Sequence, residues 1–298
     1  MRDMKTPLMM IINPAAGKGE YKNGLPEAMK MLSDAGYAVN VFFTEERGHA
    51  TRLAQEHGGE YEKLVCLGGD GTLAEVIAGL MRLEKRPQVG YFPIGTANDV
   101  ARTTGLPKND MIESAARFIA GTPLAFDVGK RNGGYFNYVA AFGAFTEVSY
   151  GTPQDIKKKL GEAAYLIGAV KSIKSLKSRH VKVEYDEGEL DGEFLYGGVS
   201  NSYSIGGIVD LPRDIVELGD GEHELILIKK LPGLGALLKL AVQVLSHDFS
   251  SEYIVIKHTK KAKFIFDEPT VLTLDGEESE AYTEFSTENC CRAIEIIR

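Results

Sequence analysis

Up to about residue 126 the chain alternates short apolar runs with segments of helical period. The runs cover residues 8–12 ("LMMII"), 37–43 ("YAVNVFF"), 63–67 ("KLVCL") and 88–92 ("QVGYF"), short enough for strands and bounded by turn residues. Around them, residues 25–36, 49–59, 72–84, 98–105 and 111–121 repeat apolar positions three and four apart. Such alternation predicts βαβ units: a parallel sheet with helices on both faces. Gly36, Gly58, Gly105 and Gly121 stand where left-handed caps would stop the helices.

Beyond residue 126 the period changes to two. Residues 134–145, 180–188, 192–201, 223–230, 252–258, 261–276 and 292–298 read as antiparallel strands, interrupted by helical segments at about 155–177 and 234–246. This pattern predicts a β-sandwich-like second unit. The boundary falls at Asp127, before the Gly- and Asn-rich "GKRNGG", and gives domains over 1–126 and 127–298.

Composition narrows the class. With 298 residues, 44% hydrophobic and 26% charged, the chain can bury a core without staples. Cys66, Cys290 and Cys291 have neither disulfide nor metal-knuckle spacing, which suits a reducing cytosol. No segment approaches the roughly 20 apolar residues of a membrane span or a signal-peptide core. The expectation is a cytoplasmic protein. A net charge of −8 argues against nucleic acid as a partner. The charge is uneven, however: residues 155–182 carry eight Lys or Arg against two acids, while 184–224 carry twelve acids against Arg213. The basic segment suits an anionic surface, and equally a solvated helix.

Three loops at predicted strand exits have unusual sequences: "NPAAGKG" (13–19), "GGDGT" (68–72) and "PIGTAND" (93–99). Glycine lets backbone approach a phosphate, and amides at a following helix start stabilise its charge. Ligands of open parallel sheets bind at such exits, so the three loops predict a polyphosphate cradle. None is a P-loop: Gly17-Lys18 is followed by Gly19 rather than Ser or Thr. Asp70 and Asp99 could face a Mg²⁺ that neutralises phosphate oxygens, though an Asp at a helix start is also an ordinary cap. Downstream, "TLDGEESEA" (273–281) ends a strand in Asp275-Gly276-Glu277, within an acidic stretch that could be a plain hairpin turn.

Together, "NPAAGKG", "GGDGT", "GTAND" and "LDGE", in this order over essentially the whole chain, resemble the bacterial diacylglycerol kinase and lipid kinase family, related to the sphingosine kinases. The resemblance implies a NAD kinase/diacylglycerol kinase-like fold: an α/β nucleotide-binding domain, then a β-sandwich lipid-substrate domain, with the site between them. It implies that ATP phosphates lie along Asn13, Pro14, Ala15, Ala16 and Gly17. It places Thr44, Gly95, Thr96 and Asn98 at the nucleotide, and makes Gly68, Gly69, Asp70, Gly71, Thr72, Leu73, Ala74 and Glu75 the phosphate loop. Asp70, Asp99 and Asp127 match a water-and-Mg²⁺ network, and Asp275 and Glu277 match a catalytic pair, of which Asp275 is favoured as proton acceptor.

The resemblance further implies a structural Mg²⁺ at "ELGDG", held by Asp220 with carbonyls near Glu217 and Glu222, where Gly219 replaces a usual aspartate. The expected reaction is transfer of the γ-phosphoryl group of ATP to the hydroxyl of diacylglycerol, giving phosphatidic acid; sphingosine-, ceramide- or long-chain-alcohol acceptors are alternatives. A lipid acceptor implies peripheral contact with the inner face of the membrane through residues 155–182, and the family's habit implies a homodimer. The helix at 234–245 offers Leu234, Leu237, Leu238, Ala241 and Val244 on one face, for core or membrane. NAD kinase shares "GGDGT" but adds an Asn-Glu pair and a Thr-Ala-Tyr segment that this chain lacks. A nucleotide-binding module without turnover would have no use for Asp275 and Glu277.

Overall fold

The structure is a computed structural model describing residues 5–143, 177–205 and 209–298. Strands β1 (Thr6–Ile12), β2 (Tyr37–Phe43), β3 (Lys63–Gly68) and β4 (Gln88–Pro93) pair in parallel in the order β2-β1-β3-β4. The inner strands β1, β3 and β4 are buried along most of their length, as strands covered on both faces must be. The helices are α1 (Leu25–Asp34), α2 (His49–His57), α3 (Asp70–Leu80), α4 (Asp99–Thr104) and α5 (Met111–Ala120). One core packs Leu53, Val76 and Ile77 against Met9, Ile11 and Leu64. A second core packs Leu32, Ala115 and Phe118 against Leu8, Met10 and Phe92.

Of the four glycines expected to cap helices, Gly36 and Gly105 are left-handed. Gly58 is right-handed helical and Gly121 extended. Contact rather than conformation requires the latter two. A Cβ on Gly58 would meet Leu80 Cδ2 at 2.8 Å, and one on Gly121 would meet the carbonyl oxygen of Arg298 at 2.5 Å.

An antiparallel region follows: β5 (Pro123–Arg131), β6 (Gly134–Phe136), β7 (Val139–Gly143), β8 (Arg179–Tyr185), β9 (Gly188–Ser200), β10 (Ser204–Ile205), β11 (Val209–Asp210), β12 (His223–Lys229), β13 (Ile254–Thr259), β14 (Lys261–Leu274) and β15 (Glu277–Ile297). Its pairings close a ring, β14-β8-β9-β7-β14, because the long β9 and β14 each serve two partners in succession. Phe142, Val181, Val183, Phe194, Phe264 and Phe285 share one core in this region. Helix α6 (Leu234–Leu245) buries Leu237 and Leu240 and exposes Leu238 and Val242, so Leu238 is not on its inward face.

Two long-range pairings tie the regions together. Residues 123–131, which span the boundary expected at Asp127, form β5 along β15, with Phe126 opposite Ile294. The end of β15 then joins the parallel sheet, Ile296 beside Val89 and Ile297 beside Gly90. Residues 277–291, not read as strand from the sequence, pair along β14 with Phe285 buried in the core, and Lys261 reaches Glu288 and Lys263 reaches Glu284 across the strands, each at 3.0 Å. The expected helix at 155–177 and most of the basic segment lie outside the described residues.

Candidate active site

The exits of β1, β3 and β4 lie side by side because the parallel register continues past the strands. Asn13 N–H donates to the Leu67 carbonyl at 3.0 Å, and Ile94 N–H to that of Gly68 at 2.9 Å. The glycine loops touch. A Cβ on Gly17 would meet the Ile94 carbonyl oxygen at 2.4 Å, and one on Gly95 would meet Gly69 Cα at 2.6 Å and Asn98 Oδ1 at 2.7 Å. Both approaches are backbone-limited and cannot be relieved by a rotamer. Gly95→Ala is therefore expected to destabilise the fold by about 1–3 kcal/mol, as overpacking does. Thermal melts check this; a melting point unchanged within 1 °C would contradict it.

Side chains fasten the loops. Asn13 Nδ2 donates to Thr72 Oγ1 at 2.9 Å, and Asn13 Oδ1 accepts from Ala15 N–H at 3.0 Å. Asn98, left-handed at φ 54°, bonds Gly95 through both amide atoms and accepts from the Tyr91 hydroxyl at 3.3 Å. Helix α3 starts at Asp70 with no side-chain cap, so its first amides remain for another acceptor. Thr44 adjoins this edge, its N–H on the Ile12 carbonyl at 2.9 Å, and Thr96 is exposed.

Other residues of the expected phosphate loop have inward work. Gly68 is buried, Leu73 is fully buried in the core, and Thr72 is held by Asn13. The Glu75 carboxylate accepts from Gly48 N–H at 2.7 Å and Ala50 N–H at 3.2 Å, so it caps α2. Ala74 is half-buried and lines the cleft, as Gly71 does.

Asp70 and Asp99 do come together. Asp70 accepts from Asp99 N–H at 3.0 Å and Val100 N–H at 3.3 Å, capping α4. Burial, and then the Asp99 charge, push the Asp70 carboxyl above its usual value. Burial raises Asp99 as well, against the pull of Lys108, Arg102 and the Tyr138 hydroxyl. Two crowded, desolvated carboxylates are a donor set that a divalent cation fits.

Asp127 belongs elsewhere. Fully buried on β5, it accepts from Gly221 N–H at 2.7 Å and Arg292 N–H at 2.6 Å, which ties it to the loop at Asp220 rather than to Asp70 and Asp99. That loop is also where the structural metal is expected. Glu217 and Asp220 are exposed, and Asp220 Oδ1 accepts from Glu222 N–H at 2.9 Å. Arg292 Nε donates to the Gly219 carbonyl at 3.0 Å, and Asn289 Nδ2 to that of Glu222 at 3.0 Å. Protein donors therefore engage one Asp220 oxygen and the Gly219 and Glu222 carbonyls. Among the described residues, no three His, Cys, Asp or Glu side chains gather as a metal-holding group.

The hairpin between β14 and β15 brings the distant acids in. Asp275, left-handed at φ 49° and 8% exposed, accepts from the N–H groups of Asn137 (2.6 Å), Tyr138 (2.9 Å) and Val139 (3.2 Å). Burial pushes its carboxyl up to about 6, against those three amides. A group that holds its proton more tightly when folded stabilises the fold fully below pH 4, and this contribution fades as pH rises through 6. The stability of the wild type relative to Asp275→Asn is therefore expected to fall by about 2 kcal/mol from pH 4 to pH 7. Urea titrations across that range measure it, and a pH-independent difference would contradict it.

Glu277 is the open member of the pair. Its Oε1 lies 3.4 Å from where a Cβ on Gly71 would stand, and Arg47 Nη2 meets its Oε2 at 2.5 Å. A cleft of about 400 Å³ joins Gly71, Ala74 and Arg47 to Asp275 and Glu277. Tyr138 also spans the gap, its backbone N–H on Asp275 and its hydroxyl on Asp99. Sequence reasoning had passed over Arg47 and Tyr138. Arg47 was legible as the cation before "GHA"; Tyr138, inside an apolar strand run, carried no signal.

A strand-exit glycine loop thus faces a paired-acid hairpin across one cleft, and the chain is similar to known kinases. The diacylglycerol kinase catalytic domain model matches residues 7–131. A diacylglycerol kinase of Bacillus subtilis strain 168 is 33% identical over 270 residues, covering 90% of this chain and 88% of its own. A diacylglycerol kinase of Staphylococcus aureus strain MRSA252 is 34% identical over 276 residues, covering 92% and 83%. The crystal structure of a Bacillus anthracis strain Sterne protein, which carries a provisional diacylglycerol kinase assignment, superposes with a TM-score of 0.82 at 28% identity, covering 100% of this chain and 96% of that one. The chain belongs to the diacylglycerol kinase family. It is a lipid kinase. Among the described residues, no helix is long and apolar enough to cross a membrane.

Proposed function

We propose that the chain transfers the γ-phosphoryl group of ATP to the free hydroxyl of diacylglycerol, giving phosphatidic acid and ADP, with Mg²⁺ as cofactor. The observation that carries this reading is the approach of Glu277 Oε1 to Gly71, which puts an accessible carboxylate beside a helix start suited to phosphate. ATP phosphates rest along Asn13–Gly17 and Gly69–Gly71, with Thr44 and Thr96 at the nucleotide. The acceptor hydroxyl enters between Gly71 and Glu277, and its oxygen bonds to the γ-phosphorus as the bond to the β-phosphate bridging oxygen breaks. Glu277 takes the hydroxyl proton.

Geometry favours Glu277 as the acceptor: Asp275 spends its oxygens on three backbone amides, which suits a positioning residue, while Glu277 faces the cleft. Asp70 and Asp99 are the residues that would hold Mg²⁺, which when bound neutralises phosphate oxygens. Asp127 would act only at a remove, by holding the Asp220 loop against β15.

The antiparallel region, on this reading, is a sandwich-like lipid-substrate domain. Residues 155–182 bring the enzyme to anionic lipid at the cytoplasmic face, each basic residue contributing about 1 kcal/mol near such a surface, and the enzyme is a homodimer. The test is labelled-ATP transfer to a panel of lipid alcohols with and without Mg²⁺. Diacylglycerol is expected to be the best acceptor, sphingosine-, ceramide- and long-chain-alcohol substrates poorer, and transfer without a divalent cation absent. Transfer to no lipid alcohol would overturn the proposal.

A further inference from the structure

Arg47 holds the carboxylate that the proposed reaction needs free. Its Nη2 meets Glu277 Oε2 at 2.5 Å, with both side chains more than half exposed. The two residues are 230 positions apart, so the pair spans from the loop after β2 to the β14–β15 hairpin. The arginine's loop is anchored on the nucleotide side, with Gly48 N–H on Glu75 of α3 and Thr44 N–H on the Ile12 carbonyl. The cleft itself is acidic. Five carboxylates line it, Glu75, Asp275, Glu277, Glu278 and Glu280, against the two cations Arg47 and Arg131. A triphosphate entering such a cleft needs a cation near its terminal group, and Arg131 is not the one bonded to Glu277. It stands on β5, with Nη1 on the Asn132 carbonyl at 3.0 Å.

We propose that Arg47 is a γ-phosphate ligand that exchanges partners: it pairs with Glu277 when no nucleotide is bound and moves to the γ-phosphate when ATP arrives, releasing Glu277 to take the acceptor's proton. The inference rests on the phosphoryl-transfer reading of this cleft. An exposed ion pair contributes little and is readily replaced. A terminal phosphate carries more charge than one carboxylate and can accept two parallel N–H bonds from a guanidinium. The exchange makes and breaks no covalent bond. It couples occupancy of the nucleotide loops to the freeing of the proton acceptor, so the carboxylate becomes available only when a phosphoryl donor is present.

The test is calorimetric binding of ATP and ADP, with Mg²⁺, to the wild-type chain, Arg47→Met, Arg47→Lys and Glu277→Gln, alongside kcat and KM for ATP. Arg47→Met is expected to weaken ATP binding about 10- to 100-fold and ADP binding less than about 2-fold, since only ATP presents a γ-phosphate. Arg47→Lys should recover part of the ATP affinity. Glu277→Gln removes the competitor, so ATP affinity should rise about 2- to 5-fold although turnover is lost. Arg47→Met binding ATP like the wild type, or weakening ATP and ADP equally, would overturn the exchange, as would Glu277→Gln binding ATP more weakly. The two readings fail differently: an Arg47→Met chain that phosphorylates lipid normally refutes only the exchange, whereas a wild-type chain that binds ATP but transfers to no lipid alcohol refutes the reaction.

Discussion

Glu277→Gln is expected to lower kcat for lipid phosphorylation about 10²- to 10³-fold while leaving the melting temperature within 2 °C of wild type. The side chain is open to the cleft and, among the described residues, its bonded partner is Arg47, so the amide removes a proton acceptor and an exposed ion pair but no packing. General-base contributions span about 10²- to 10⁴-fold, and phosphoryl transfer sits toward the lower end because its loose transition state draws mostly on alignment and charge neutralisation. Steady-state assays with labelled ATP in diacylglycerol micelles measure the effect. A loss under about fivefold would return the acceptor role to Asp275.

Asp70→Asn separates two roles that geometry superposes. As a cap of α4, Asp70 bonds the N–H groups of Asp99 and Val100. Asparagine keeps one carbonyl oxygen for them, so the stability cost is that of a weakened cap, about 1 kcal/mol, or a fall in melting temperature of about 2–4 °C for a chain this size. The effect on activity is expected to be far larger, about 10²- to 10³-fold in kcat, with a raised Mg²⁺ requirement, because the variant removes one of the two crowded carboxylates suited to the cation. Activity within threefold of wild type, with that small fall in melting temperature, would leave Asp70 as a cap and nothing more.

The glycine loops were legible in the sequence because their requirement is local and steric. Backbone packed against backbone at Gly69 and Gly95 excludes any side chain, so the residue type itself records the contact. The parallel strands were legible for a related reason: burial on both faces leaves continuous apolar runs. What was not legible depends on partners far away in the chain. Asp127 is held by Arg292, 165 residues on, and nothing near "FDVG" signals that. Likewise the first part of β15 reads as an acidic stretch until β14 pairs along it and buries Phe285. The motifs named Asp275 and Glu277 as a pair, with Asp275 favoured as the acceptor. The turn, which folds Asp275 back onto three amides and leaves Glu277 outward, is what supports the opposite assignment proposed here.

The central claim is that the nucleotide's terminal phosphate and Glu277 meet across one cleft. A crystal structure with a non-hydrolysable ATP analogue and Mg²⁺ tests it most directly. The account predicts the γ-phosphorus at Gly69–Gly71 and within about 6 Å of the Glu277 carboxylate, room for one hydroxyl in contact with both. A γ-phosphate bound away from those glycines, or more than about 10 Å from Glu277, well beyond such contact, would contradict it.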